Sequence, residues 1–201
     1  MDKGDFENIS ETDFRYILQA FTNIRLYYPV AGDDRLMVSE LTPGQAGGLS
    51  SIHYATPLFF NPEGARNYQT RHGGEDLTVD QVRWASAVDV LMALYSHRNT
   101  PPSDDKETPD FVIFDKADNE QVEFEYLLDE RTREPYSFEI KGVRLIPTFV
   151  VKAEAAKHQQ KLKAQGIVVN RAKLDEKRLF NFIISNHENG FITVLVGHLQ
   201  N

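Results

Sequence analysis

The sequence predicts an α+β protein, with a helical N-terminal half packed against a mainly antiparallel β-meander that carries a surface helix and a C-terminal hairpin. Three observations predict it. Apolar residues recur at three- and four-residue steps in two early stretches. From residue 111 onward the period changes to two. Between these regimes lies a polar, proline-rich stretch, residues 99–108. The whole reads as a single α+β domain, residues 1–201, in which 99–108 is the natural place for a subdivision into a mainly helical 1–98 and a mainly β 109–201.

The first helix starts behind Ser10-Glu11-Thr12-Asp13, an N-cap signal. Phe14, Ile17, Leu18, Phe21 and Ile24 then share one stripe, and Pro29 sets the end near Tyr28. A short strand is expected over 36–41. Residues 42–76 are rich in Gly and Pro and read as a long irregular loop. Loops of that length in compact domains are often functional. Within it, 52–60 has strand character, and Pro57 predicts an edge position.

Thr78-Val79-Asp80-Gln81 fits a capping box. Val82, Ala85, Val88, Leu91, Met92 and Tyr95 follow as a broad apolar face, which predicts a largely buried helix ending at 99–102. Strands are expected at 111–115, 122–127, 136–141 and 144–151, with Pro147 indicating an edge or bulge. The connectors at 116–120 and 129–135 are short enough for antiparallel neighbours. Residues 153–165 read as a helix with a thin apolar stripe, stopped by Gly166. Residues 180–185 and 191–196 flank Asn189-Gly190 and read as a hairpin. No internal repeat is apparent.

Composition bounds the function. The chain has 201 residues, 41% of them hydrophobic and 26% charged, enough to build a packed core. No apolar run approaches the ~20 residues that cross a bilayer. The acidic start lacks the apolar core of a secretory signal, so a soluble, cytoplasmic protein without membrane partners is expected. With no Cys there is no disulfide, thiolate metal site or cysteine nucleophile. The six His residues show no metal-ligand spacing, and neither phosphate-cradling glycine motif nor a serine-nucleophile elbow is present.

Charge is uneven. The formal net charge is −8; residues 1–151 hold 14 Lys+Arg against 26 Asp+Glu, whereas 152–178 hold 8 against 3. An acidic chain is a poor nonspecific ligand for nucleic acid, whose affinity comes from Lys and Arg neutralising phosphate. The basic segment, with Lys152, Lys157, Lys161 and Lys163, is either a solvated helix face or a docking surface for a partner, nucleic acid included.

One constellation has catalytic character. Pro109-Asp110 opens a predicted strand, and Glu139-Ile140-Lys141 lies in a later one, where alternation puts Glu139 and Lys141 on one face. This resembles the PD…(D/E)xK pattern of the restriction-endonuclease-like nucleases. The resemblance implies a Mg²⁺ ion held by Asp110 and Glu139, with Glu123 or Glu125 as a further ligand and Lys141 positioning the attacking water. A plain structural reading competes with it: Glu123 or Glu125 pairs with Lys141 across antiparallel strands, and Asp110 enters a strand. Two functions are therefore expected. The first is a non-catalytic interaction or assembly protein without a cofactor. It binds a macromolecular partner, another protein, through its acidic surface, a sheet edge or the 42–76 loop. The alternative is a Mg²⁺-dependent nuclease.

Overall fold

The computed structural model describes residues 1–32, 35–41, 52–73, 81–114 and 122–197. After a 3-10 turn (Lys3–Phe6), the first part of the chain forms α1 (Glu11–Ala20), β1 (Arg25–Pro29), β2 (Ser39–Leu41), β3 (His53–Phe59), α2 (Pro62–His72), β4 (Val82–Ser86), α3 (Ala87–Ser96) and β5 (Asp110–Phe114). There follow β6 (Glu123–Asp129), β7 (Phe138–Ile140), β8 (Val143–Phe149), α4 (Lys152–Ala164), β9 (Val169–Asp175), α5 (Glu176–Glu188) and β10 (Phe191–Val196). The α+β class is as expected. The helical N-terminal half is not, because that half carries a five-stranded sheet of its own.

The chain divides into two compact units: Met1–Asn8 with Arg25–Glu120, and Ile9–Ile24 with Gln121–Asn201. In unit 1, β1 runs antiparallel to β3 and β4, β2 runs antiparallel to β3, and β5 runs parallel to β3. In unit 2, β6 runs antiparallel to β8 and β9, β7 antiparallel to β8, and β10 parallel to β8. The two wirings are the same β-β-β-α-β-α-β arrangement. Their registers also correspond, with Tyr27 opposite Phe59 in one and Glu125 opposite Phe149 in the other. Unit 2 adds α1, which packs on α5 and β10. A repeat that the sequence did not display is thus present in the topology. Its residue trace is sparse: Pro57 and Pro147, Phe59 and Phe149, Ala65 and Ala155, Gln69 and Gln159, at a constant offset of 90.

Both prolines lie in central strands, contrary to the edge expectation, and the pairing gives the reason. One side of β3 is shared between β2, opposite residues 53–55, and β1, opposite Phe59. Pro57 falls in the gap between them. One side of β8 is likewise shared by β7 and β6, and Pro147 falls in the gap between Leu145 and Thr148. A residue without an amide hydrogen costs no ladder bond where there is no neighbour to bond.

Three local expectations give way to tertiary structure. The helix at α1 ends at Ala20 rather than near Tyr28, because 25–29 pairs with β4 and buries Leu26 and Tyr27. The Thr22 hydroxyl closes the helix on the carbonyls of Leu18 and Gln19. The predicted helix beginning at Val82 starts only at Ala87, since Val82–Ser86 is strand β4. Of its capping box, Thr78-Val79-Asp80 lie outside the described residues, as do 42–51 and 74–76 of the predicted loop and the 116–120 connector. The described part of that loop is β3 and α2, regular structure rather than coil. Finally, 180–185 belongs to helix α5, capped by Asp175, whose carboxylate accepts the Arg178 amide at 2.9 Å. Asn189-Gly190 ends that helix, with Gly190 at φ 76°, and β10 returns parallel to β8, so no C-terminal hairpin forms.

Each unit has a core of its own. Tyr27, Phe59, Ala65 and Tyr68 form that of unit 1, with Met37, Val82 and Phe114 packed on it. Leu127, Phe149, Ala155, Leu162 and Val169 form that of unit 2, with Tyr136, Ile167 and Val196 packed on it. Helix α4 matches the surface helix expected, with Ala155 and Leu162 buried and Gly166 at φ 79° after its end.

Candidate functional site

The structure places the sequence-predicted residues in separate settings. Asp110 opens β5 of unit 1. One of its carboxylate oxygens takes the Lys3 ammonium at 2.7 Å, and the other accepts the Ser103 amide at 2.6 Å. Glu139 lies in β7 of unit 2, opposite Arg144. Lys141 does not share its strand face. It sits at φ 51° beside Gly142 at φ 79°, the two central residues of the turn joining Ile140 to Val143. Positive φ at both positions is the two-residue type I′ hairpin turn. Among the described residues no three His, Asp or Glu side chains gather as a metal cluster would require.

Glu123 and Glu125 have cross-strand partners, though not on the strand expected. Glu123 bonds Lys152 at 2.6 Å and Lys173 at 3.3 Å; these cations hold its carboxyl below the usual range. Glu125, 5% exposed, faces Arg171 at 3.4 Å. Of the α4 cations, Lys152 is therefore committed to Glu123. Lys157 lies 3.9 Å from Glu154, and Lys161 and Lys163 project from the exposed last turn.

The residues that do converge are in unit 1, around a cavity of about 530 Å³ between the start of the chain, β3, β5 and residues 98–102. That size is typical of ligand sites. Its wall is built by long-range hydrogen bonds. The Ser103 carbonyl accepts the Tyr54 amide at 3.0 Å, the Ser103 amide binds Asp110, and the Lys3 ammonium adds the Pro101 carbonyl at 3.4 Å to its Asp110 contact. The connection after α3 is thereby pinned onto two strands. Arg98 is fixed too, with one guanidinium nitrogen on the Tyr95 carbonyl at 2.8 Å and its plane over the Tyr95 ring at 4.0 Å. Tyr54, Phe111, Pro101 and Pro102 supply apolar wall. Of this site the sequence reading singled out Asp110 and, as part of the 42–76 segment, the stretch that holds His53 and Tyr54. Lys3 and Arg98 carry no motif, and the signal near Arg98 was the proline-rich break at 99–108.

No protein-family model matches the sequence, and no curated protein matches it. Solved structures do. The chain is similar to Anabaena Tic22, described as protein transport, with a TM-score of 0.63, covering 92% of each chain at 10% identity. It is also similar to Tic22 from Plasmodium falciparum, with a TM-score of 0.57, covering 90% of this chain and 91% of that one at 9% identity. At such identity the likeness is one of fold. No helix among the described residues is long and apolar enough to cross a membrane.

Proposed function

We propose that this chain is a non-catalytic component of protein transport that binds a protein partner through the acidic surface of unit 1. The observation that carries this reading is the division of charge between the units. Unit 1 holds 9 Lys+Arg against 18 Asp+Glu, a formal −9, whereas unit 2 holds 13 against 12, a formal +1. A net excess of negative charge steers and selects oppositely charged partners. Two further facts support it. Asp110 and Lys141 have structural work, in an ion pair and in a hairpin turn, and the fold is shared with Anabaena Tic22, described by transport rather than by a reaction.

The test is cross-linking of the tagged full chain in permeabilised cells held at a series of salt concentrations, followed by identification of what is attached. A reproducible protein partner is expected, with a yield that falls as salt rises from roughly 50 to 500 mM, since screening shortens the reach of the field. Recovery of the monomer alone, or a partner held equally at all salt concentrations, overturns the reading. So does Mg²⁺-dependent cleavage of nucleic acid that Asp110→Asn abolishes.

A further inference from the structure

We infer that the unit 1 cavity is the docking site for an extended, positively charged segment of the partner, whose cationic side chains enter beside Asp2 and Glu7. This rests on the reading above and names the chemistry of what is bound.

The argument begins with which charges at the cavity are already used. Both cations lining it are committed: Lys3 to Asp110 and the Pro101 carbonyl, and Arg98 to the Tyr95 carbonyl and ring. Two of the lining acids are not. Glu7 is exposed and takes no ion pair among the described residues. Asp2 spends one carboxylate oxygen on the Gly4 amide at 2.8 Å and likewise takes no ion pair among the described residues. Asp2, Glu7 and Asp110 stand against Lys3 and Arg98 in the lining, a formal charge of −1, and the acids left without a cation among the described residues are Asp2 and Glu7. An anionic ligand would enter against that charge, whereas a cation is favoured by it.

Shape narrows the occupant further. About 530 Å³ holds a few side chains and a short length of extended backbone, but not a helix with its side chains. Tyr54, Phe111, Pro101 and Pro102 make a wall on which the methylene stems of Lys or Arg bury while their heads stay with the carboxylates. Aromatic rings also attract a guanidinium laid on their faces. The wall is fixed before binding by the Ser103 and Lys3 bonds, so less ordering is needed when a segment arrives. A free small cation would leave the apolar wall unused, and an apolar segment would leave the acids unpaired.

Fluorescence anisotropy on the full chain tests this with two labelled twelve-residue probes, repeats of Gly-Arg-Leu and of Gly-Glu-Leu. The basic probe is expected to bind and the acidic one not. Glu7→Gln, at an exposed position outside any core, should weaken the basic probe by about two- to fivefold, the worth of one exposed ion pair. Tyr54→Ala should weaken it by tenfold or more if the wall binds the stems. Glu188→Gln, at an exposed acid in unit 2, should change nothing. Equal binding of both probes overturns the charge argument. Basic-probe binding untouched by Glu7→Gln and Tyr54→Ala overturns the cavity as its site, while leaving the proposed partner function standing. If neither probe binds but cross-linking still captures a salt-sensitive partner, this inference falls alone. If no partner is captured either, both fall.

Discussion

Asp110 illustrates how a residue can be correctly singled out and given the wrong work. Its position at the mouth of a strand fits a metal ligand, but Lys3 and Ser103 occupy both carboxylate oxygens. The Lys3 and Asp110 side chains are 13% and 20% exposed, so little solvent screens the pair. Asp110→Asn should therefore lower unfolding free energy by about 1.5–3 kcal/mol, measured by urea denaturation. No change would mean that the clamp is not structural. His158 makes a second prediction. Burial, and secondarily Lys161, push its imidazole below the usual 6.5, with Glu154 opposing. It packs on Phe149, with ring centroids 5.5 Å apart. With the folded value depressed, the unfolded chain takes up the proton first, so stability present above pH 6.5 is lost as pH falls through the folded value. Thermal unfolding of the native chain should show a decline setting in below about pH 6.5, and His158→Gln should remove that part of it.

At the level of strands and helices, the Glu139-Ile140-Lys141 motif becomes a hairpin. The turn places a lysine at φ 51°, a region costing roughly 1–2 kcal/mol for most residues and less for Asn. Lys141→Asn creates the favoured Asn-Gly pair and should stabilise the chain by about 0.5–1 kcal/mol, read from the shift in denaturation midpoint. A loss of stability would contradict the turn assignment. The misplaced elements share one explanation. Val82–Ser86 contains residues that fit a helical stripe, yet pairing with β1 decides it, residue against residue from Arg25–Ser86 to Pro29–Val82. Residues 180–185 are apolar enough for a strand, but Leu179, Phe180 and Ile183 form a buried helical stripe behind the Asp175 cap. Propensity within a few residues is a weak guide once long-range pairing or a cap competes.

For the molecule as a whole, the matching wirings of the two units make a quantitative claim. Phe59 and Phe149 stand at equivalent places, each buried at the end of a central strand and packed in its own core. Phe59→Ala and Phe149→Ala should each cost about 3–5 kcal/mol, and by similar amounts. A severalfold difference measured by denaturation would show that the shared wiring does not carry a shared core. The units differ most in surface charge. Where the register places Arg25 and Trp84 in unit 1, with the guanidinium 4.2 Å over the ring, unit 2 has Glu123 and Lys173. The two units share their pairing scheme, while their surfaces differ.

The α+β class, the absence of cysteine chemistry, the caps at Ser10 and Gly166, and the strands within 110–149 were readable from composition and local periodicity. Each depends on neighbours within about ten residues, and the sequence displays those neighbours directly. Other features were settled by folding alone: the strand at 82–86, the helix at 176–188, the central prolines, and the convergence of Lys3 with Asp110 on one cavity. All of these depend on partners that chain order holds far apart and that meet only once the sheets are paired, and the energy of that meeting outweighs the preferences written locally.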